Sequence, residues 1–404
     1  MQINSGDTAW VLASAALVMF MTPGLALFYG GLVRTKNVVG TMMQSFIALA
    51  LVTVLWVLVG YTLAFGPDKG GVIGGLSFIG LKHVGAAPSP FAPTIPATAF
   101  MVFQLMFAVI TPALIAGAFA DRMKFSGYLM FIGLWSLLVY APVVHWEWGG
   151  GFLGASGAGA IDFAGGAVVH ANAGAAALAA AFYLGKRRGY GSEDMAPHNV
   201  PLVILGAGIL WFGWFGFNAG SALTSGALAS TAFVNTQLGA AAAVLGWISL
   251  ERWRTGKVTG LGAAAGAVAG LATITPAAGY VQPMAALVIG LAAGVLCFLA
   301  VGAKLRLGYD DSLDVVGVHM VGGVVGVLLT GVFASLVINP SGAGGGLALL
   351  GRQALLAGVT VGYSFIATMA ILKVADLTVG LRLSEEEEIA GLDLSQHGEI
   401  AYRS

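Results

Sequence analysis

The sequence predicts an all-α polytopic membrane protein of eleven transmembrane helices. Composition predicts the class: of 404 residues, 58% are hydrophobic and only 9% charged, too few charges to cover a soluble surface. Apolar runs predict the helices, because a span needs about 20 such residues and eleven stretches approach that length. The distribution of Lys and Arg predicts an odd number of crossings, as argued below.

In chain order the predicted spans are 8–32, 39–65, 95–119, 125–147, 161–184, 198–220, 226–249, 257–275, 281–302, 312–337 and 347–382. The segment before the first, Met1-Gln-Ile-Asn-Ser-Gly-Asp, lacks the basic flank of a retained signal peptide. Pro23 and Pro112 fall within spans and Pro276 at the end of the eighth, and they are expected to kink these helices. Asp162 opens the fifth span as an N-cap. Asp310, Asp311 and Asp314 open the tenth, where carboxylates favour the helix dipole. The eighth is dense in small residues, Gly260-Leu-Gly-Ala-Ala-Ala-Gly-Ala-Val-Ala-Gly270, which lets helix backbones approach closely. The eleventh is long enough to tilt strongly or to project beyond the bilayer. The lone Cys297 can form no internal disulfide.

Orientation follows from the cations. With the N-terminus outside, 14 of the 18 basic residues face the cytoplasm: Arg34, Lys36, Arg122, Lys124, Lys186, Arg187, Arg188, Arg252, Arg254, Lys257, Lys304, Arg306, Arg382 and Arg403. Lys69, Lys82 and Arg352 face outward, and Lys373 lies within the last span. The positive-inside rule therefore places the N-terminus out and the C-terminus in. The chain divides into a transmembrane part, 1–382, and a polar cytoplasmic tail, 383–404. A net charge of zero leaves no basic footprint for nucleic acid.

Two histidines stand inside apolar stretches, in Asp162-Phe-Ala-Gly-Gly-Ala-Val-Val-His170 and Asp311-Ser-Leu-Asp-Val-Val-Gly-Val-His319, each eight residues after an aspartate. Ionisable side chains within a bilayer are costly and mark pathways or proton relays. His170 is reached about 13 Å into the fifth span at 1.5 Å per residue, and His319 at a similar depth in the tenth from the opposite side. Five spans separate them, so spans 1–5 and 6–10 read as an inverted five-helix repeat. Two unrelated core histidines bonded to backbone are the alternative. His83, His145, His198 and His397 lie at or beyond span ends.

The blocks Phe103-Gln-Leu-Met-Phe107-Ala, His145-Trp-Glu-Trp148-Gly-Gly-Gly, Asp162 to His170, Trp214-Phe-Gly-Phe217-Asn-Ala-Gly-Ser221, Ile274-Thr-Pro-Ala and Asp310 to His319 follow one another through the chain. In order and placement the sequence resembles the Amt/Mep/Rh ammonium transporters, of the prokaryotic Amt type, over essentially its whole length. The resemblance implies a homotrimer in the cell membrane with one pore per subunit. It implies Phe107 and Phe217 as a stacked gate, and Trp148, Phe103, Phe107 and Ser221 as an outer ammonium site. His170 and His319 become the pore-lining pair, with Asp162 and Thr275 as structural neighbours, and His145 orients the Trp148 loop. Three residues depart from the family pattern. Val316 stands where Phe is frequent and Met320 where Gly is frequent, which bears on packing beside His319. Glu147 replaces an apolar residue and adds cation attraction at the mouth.

The same chemistry follows from the residues. Aromatic faces attract a desolvating cation by about 0.5–2 kcal/mol each, and a Ser hydroxyl accepts one ammonium N–H. Neither separates ammonium from potassium. A dry tube does, because an unpaired charge is prohibitive to bury. Ammonium can shed a proton to enter and potassium cannot. Neutral imidazoles supply a donor and an acceptor inside such a tube, so they can guide ammonia, relay the proton, or do both. Ammonium and methylammonium are thus the expected substrates. No Walker motif, HExxH or CxxC is present, so a transporter without cofactor or metal, not an enzyme, is expected. The alternatives are an ammonium sensor with little transport and an intramembrane hydrolase. In the tail, Ser384-Glu-Glu-Glu-Glu388 reads as a capped short helix, and a solvated tail is the plain alternative. Gly391-Leu-Asp-Leu-Ser-Gln-His-Gly-Glu399 resembles the family's regulatory tail, which packs across subunits. The resemblance also brings a possible PII-type signal protein on that face.

Overall fold

A computed structural model describes residues 2–402; Arg403, counted above with the cytoplasmic cations, lies outside them. All eleven predicted spans are helices: α1 (Ser5–Leu32), α2 (Thr35–Phe65), α3 (Ala97–Phe119), α4 (Phe125–Glu147), α5 (Gly166–Leu184), α6 (Val200–Gly220), α7 (Ala227–Thr255), α8 (Gly260–Ile274), α9 (Pro283–Leu307), α10 (Val316–Phe333) and α11 (Leu347–Val379). Ten are long and apolar enough to cross a membrane, and α8 is a shorter apolar helix. The protein is a multi-pass membrane protein. The 33 residues of α11 reach about 50 Å at 1.5 Å per residue, well beyond the hydrocarbon thickness.

The differences from the predicted bounds have local causes. Helix α5 begins at Gly166 rather than 161 because Asp162–Gly165 is non-helical, with Gly165 left-handed at φ 115°. Helix α10 ends at Phe333, since Ala334 turns extended at the head of a segment rich in Ser, Asn, Pro and Gly. Helices α7 and α9 run on through Arg252, Arg254, Lys304 and Arg306, where cations suit a helix C-terminus. Pro23 and Pro112 lie inside helices, but Pro276 does not kink α8. It follows the C-cap Thr275 and ends the helix there.

Small residues set the packing. The most extensive contacts pair α1 with α6, and α7 with α9 and α8. A Cβ on Gly213 would stand 2.7 Å from the Leu17 carbonyl oxygen, and one on Gly270 would stand 2.7 Å from that of Gly239. Close approach excludes side chains at both positions. The first helices of the two halves therefore pack together, and so do the fifth ones, through α5 and α10. That pairing suits a five-helix repeat.

Between α2 and α3 lie two small antiparallel ribbons, β1 (Asp68–Lys69) with β2 (Ile73–Gly74), and β3 (Pro88–Ser89) with β4 (Ala92–Pro96). They form part of the rim on the α4 C-terminal side. His145, in the last turn of α4, bridges the Ala64 carbonyl and the Asp68 carboxylate at 2.9 Å each, which fixes the turn that carries Trp148.

On the opposite side the tail is docked, not solvated. Helix α12 (Glu385–Ala390) has a capping box between Ser384 and Glu387. Lys36 donates to the Glu388 and Ile389 carbonyls at 2.7 and 2.8 Å, and Asn37 accepts from the Leu392 N–H at 2.8 Å. Gly40 donates to Asp393 at 2.9 Å, and Leu392 is buried. These contacts tie the tail to its own chain.

Candidate functional site

The entries to α5 and α10 are built alike. Asp162 accepts four backbone N–H groups at 2.7–3.1 Å, from Gly165, Gly166, Ala167 and Val168. Non-helical backbone is tolerated at membrane depth only where protein satisfies it, and this carboxylate does so. The expected cap thus acts from four residues ahead of the helix. Asp311 does the same for Val316 at 2.7 Å. Each helix then opens with a π-turn, Gly166–Ala171 or Val316–Met320, whose penultimate residue is His170 or His319.

The other two acids at α10 do not cap it. Asp310 pairs bidentately with Arg187, at 2.9 Å through both Nε and Nη2, and Asp314 pairs with Lys304. Burial would raise the Asp310 carboxyl, but Arg187 and Arg122 hold it below the usual carboxylate range.

The repeat brings the two histidines together. Their rings stack at 5.3 Å and 20°, with Nδ1 to Nδ1 at 3.3 Å. One Nδ1 must donate and the other accept, so the neutral pair carries its protons on unlike nitrogens. His170 also stacks on Trp214 at 5.3 Å, and Trp214 donates its indole N–H to Thr275 at 2.9 Å. Thr275, expected as a structural neighbour, holds the ring that holds His170. Trp214 itself was quoted only as part of a block. Its spacing of three from Phe217 was the available signal, since such residues share a helix face.

Both histidines line a narrow cavity of about 10 Å³, with Phe217, Trp214, Tyr29 and apolar side chains. That size is at the threshold for a single water. The Tyr29 hydroxyl is spent on the Leu114 carbonyl at 2.9 Å. His170 Nε2 is buried without a partner among the described residues. The lumen therefore offers little polarity besides imidazole.

Toward the ribbons, Phe107 and Phe217 close the lumen with centroids 4.2 Å apart at 38°. Beyond them lies a vestibule of about 510 Å³ lined by Phe103, Phe107, Trp148 and Ser221. Phe103 stands 4.9 Å and Trp148 6.2 Å from Phe107. The Trp148 indole donates to the Asp162 carbonyl at 2.9 Å, and Ser221 donates to the Phe217 carbonyl at 2.8 Å. The structure thus gathers every residue that the sequence reading assigned to the outer site. At the other end His319 also lines a second cavity of about 420 Å³ with Asp314, Glu251 and Arg254. Of the departures, Val316 is buried and Met320 packs against Gly174, where a Cβ would meet it at 2.5 Å. Glu147 is the last residue of α4, and it is buried against the vestibule.

Comparison with known proteins agrees with this geometry. The Ammonium Transporter Family matches residues 9–402. An ammonium transporter of Mycobacterium tuberculosis is 51% identical over 99% of this chain and 90% of its own. The crystal structure of Saccharomyces cerevisiae Mep2 superposes with a TM-score of 0.91 at 36% identity, covering 100% of this chain and 93% of that one. A solved structure named Sensor Amt Protein gives a TM-score of 0.90 at 30% identity, covering 97% and 98%. The chain belongs to the ammonium transporter family.

Proposed function

We propose that this chain recruits ammonium in the vestibule beside Trp148, Phe103, Phe107 and Ser221, and strips its proton at the Phe107–Phe217 gate. Ammonia then passes along the His170–His319 lumen to the cytoplasmic cavity. The single observation that carries the reading is the hydrogen-bonded histidine pair, 3.3 Å apart, in a nearly dry passage between two vestibules. The aromatic rings concentrate a cation through the attraction of their quadrupoles, and the narrow lumen refuses it while charged. Through alternating donor and acceptor nitrogens, the imidazoles can carry the proton separately.

The cation distribution supports a topology with the N-terminus outside and the vestibule facing out. The resemblance supports a homotrimer in the cell membrane, with methylammonium as a second substrate and a PII-type protein as a cytoplasmic partner. The family is one of transport proteins, which favours transport over the hydrolase reading. Likeness to Sensor Amt Protein favours signalling as the second reading. Proteoliposomes given ammonium and potassium pulses decide between them. Ammonium current and methylammonium uptake without potassium current are expected; binding with no flux would overturn transport in favour of sensing.

A further inference from the structure

The outer vestibule contains a carboxylate that the scheme above does not use. Among the described residues only two charged side chains line the cavity, Asp162 and Glu147, and both are acids. They are not equivalent. Asp162 spends both oxygens on four backbone N–H groups and is structural. Glu147 is 7% exposed, and its Oε2 has no hydrogen-bond partner among the described residues. Asp162 and Tyr280 face it, and neither supplies positive charge. Gln104, in the same wall, likewise has a buried, unpartnered side-chain carbonyl.

A buried carboxylate without a counter-charge costs several kcal/mol. A cavity lined by one together with an amide carbonyl and a set of aromatic faces is complementary to a compact cation rich in N–H donors. Trp148 follows Glu147 directly, so acid and ring are presented by one turn.

We propose that Glu147 is an affinity-determining residue of the outer site. Its carboxylate neutralises and hydrogen-bonds an ammonium or small protonated amine before the gate, with Gln104 accepting a further N–H. The inference rests on the vestibule as the recruitment site. An aromatic site alone attracts any desolvating cation by its ring quadrupoles. The carboxylate adds charge pairing and a further acceptor, so it lowers the concentration needed to fill the site.

The test compares the full-length wild type with Glu147→Gln, which keeps the shape and one acceptor, and with Glu147→Asp, which keeps the charge. Ammonium chloride and methylammonium chloride are titrated calorimetrically into protein in lipid nanodiscs, and currents are recorded in proteoliposomes over the same concentrations. For Glu147→Gln we expect half-saturation about tenfold higher, equivalent to about 1.4 kcal/mol, with maximal current little changed. Glu147→Asp should recover most of the affinity. Equal half-saturation in wild type and Glu147→Gln, by binding and by current, overturns the assignment. Binding that weakens as expected in a protein that carries no current supports the assignment while overturning transport. No ammonium binding by the wild type overturns both.

Discussion

Replacing both His170 and His319 with Ala tests the core of the transport mechanism. In the native lumen the remaining polar side chains are already committed. The Tyr29 hydroxyl bonds to the Leu114 carbonyl and the Trp214 indole to Thr275. Removing the imidazoles therefore leaves only the weakly basic Tyr29 oxygen as a side-chain acceptor in the described lining. Burying an unpaired charge carries an effective penalty of several kcal/mol. At about 1.4 kcal/mol per factor of ten in rate, a penalty of only about 3 kcal/mol slows proton passage more than about 100-fold. Ammonium-evoked current in proteoliposomes should fall by at least that factor. The native lumen of about 10 Å³ barely admits one water, and losing two rings enlarges it. If the larger space wets, potassium exclusion weakens; an apolar cavity can also stay dry, which would leave exclusion intact. The reasoning is refuted by a double variant with normal ammonium current and normal potassium exclusion, in which case the pair is structural.

Trp148→Leu should raise the half-saturating ammonium concentration by about 2- to 30-fold, the equivalent of about 0.5–2 kcal/mol of lost cation–π attraction. An unchanged uptake curve over a wide ammonium range would count against recruitment by this ring. Deleting 384–404 should leave the spans folded by circular dichroism and the proposed trimer intact by native mass measurement, while transport falls as Lys36, Asn37 and Gly40 lose their partners. Full activity of the truncated protein would remove the coupling role of the tail. Asp310→Asn removes the bidentate partner of Arg187, which keeps Asp121 at 3.6 Å, and the carboxylate 3.8 Å from Arg122, and should cost about 3 kcal/mol at neutral pH. The folded carboxyl lies below the ordinary range. Its contribution is therefore present above the unfolded value and lost as pH falls through the folded one. Thermal unfolding of wild type and variant should converge on acidification, and a gap independent of pH would contradict the assignment.

The membrane class, the eleven helices and the pairing of the histidines were legible because each rests on a period or a count. Apolar length marks a span whatever it packs against. Matched Asp-to-His spacing marks related helix entries without coordinates. What escaped was backbone that departs from the helix while staying apolar. Residues 161–165 read as membrane helix because Ile, Phe, Ala and Gly suit one. Only the four N–H groups converging on Asp162 reveal that the chain enters the bundle unwound. The Asp310–Arg187 pair joins residues 123 apart, and no periodicity reports a contact of that range. A solvated tail was the plain alternative because the segment is polar, yet Leu392 is buried and the segment is held through main-chain groups. Side-chain polarity alone could not show that.

The unwound entry also bears on selectivity. If α5 continued as a regular helix through 161–165, its own carbonyls would take the N–H groups that now converge on Asp162. The Asp162 carbonyl would then not be positioned to accept the Trp148 indole at 2.9 Å. The same short stretch thus fixes the vestibule ring on one side and, eight residues on, the first imidazole on the other. Thr275 and Trp214 fix that imidazole from α8 and α6. Ring and imidazole are held by groups spent on structure, so neither must reorganise as the substrate changes charge between them. Preorganised dipoles around a charge-changing step lower its cost most when they are rigid. In the proposed scheme, a passage that exchanges a cation for a neutral molecule beside the Phe107–Phe217 pair needs that rigidity on both faces of the gate.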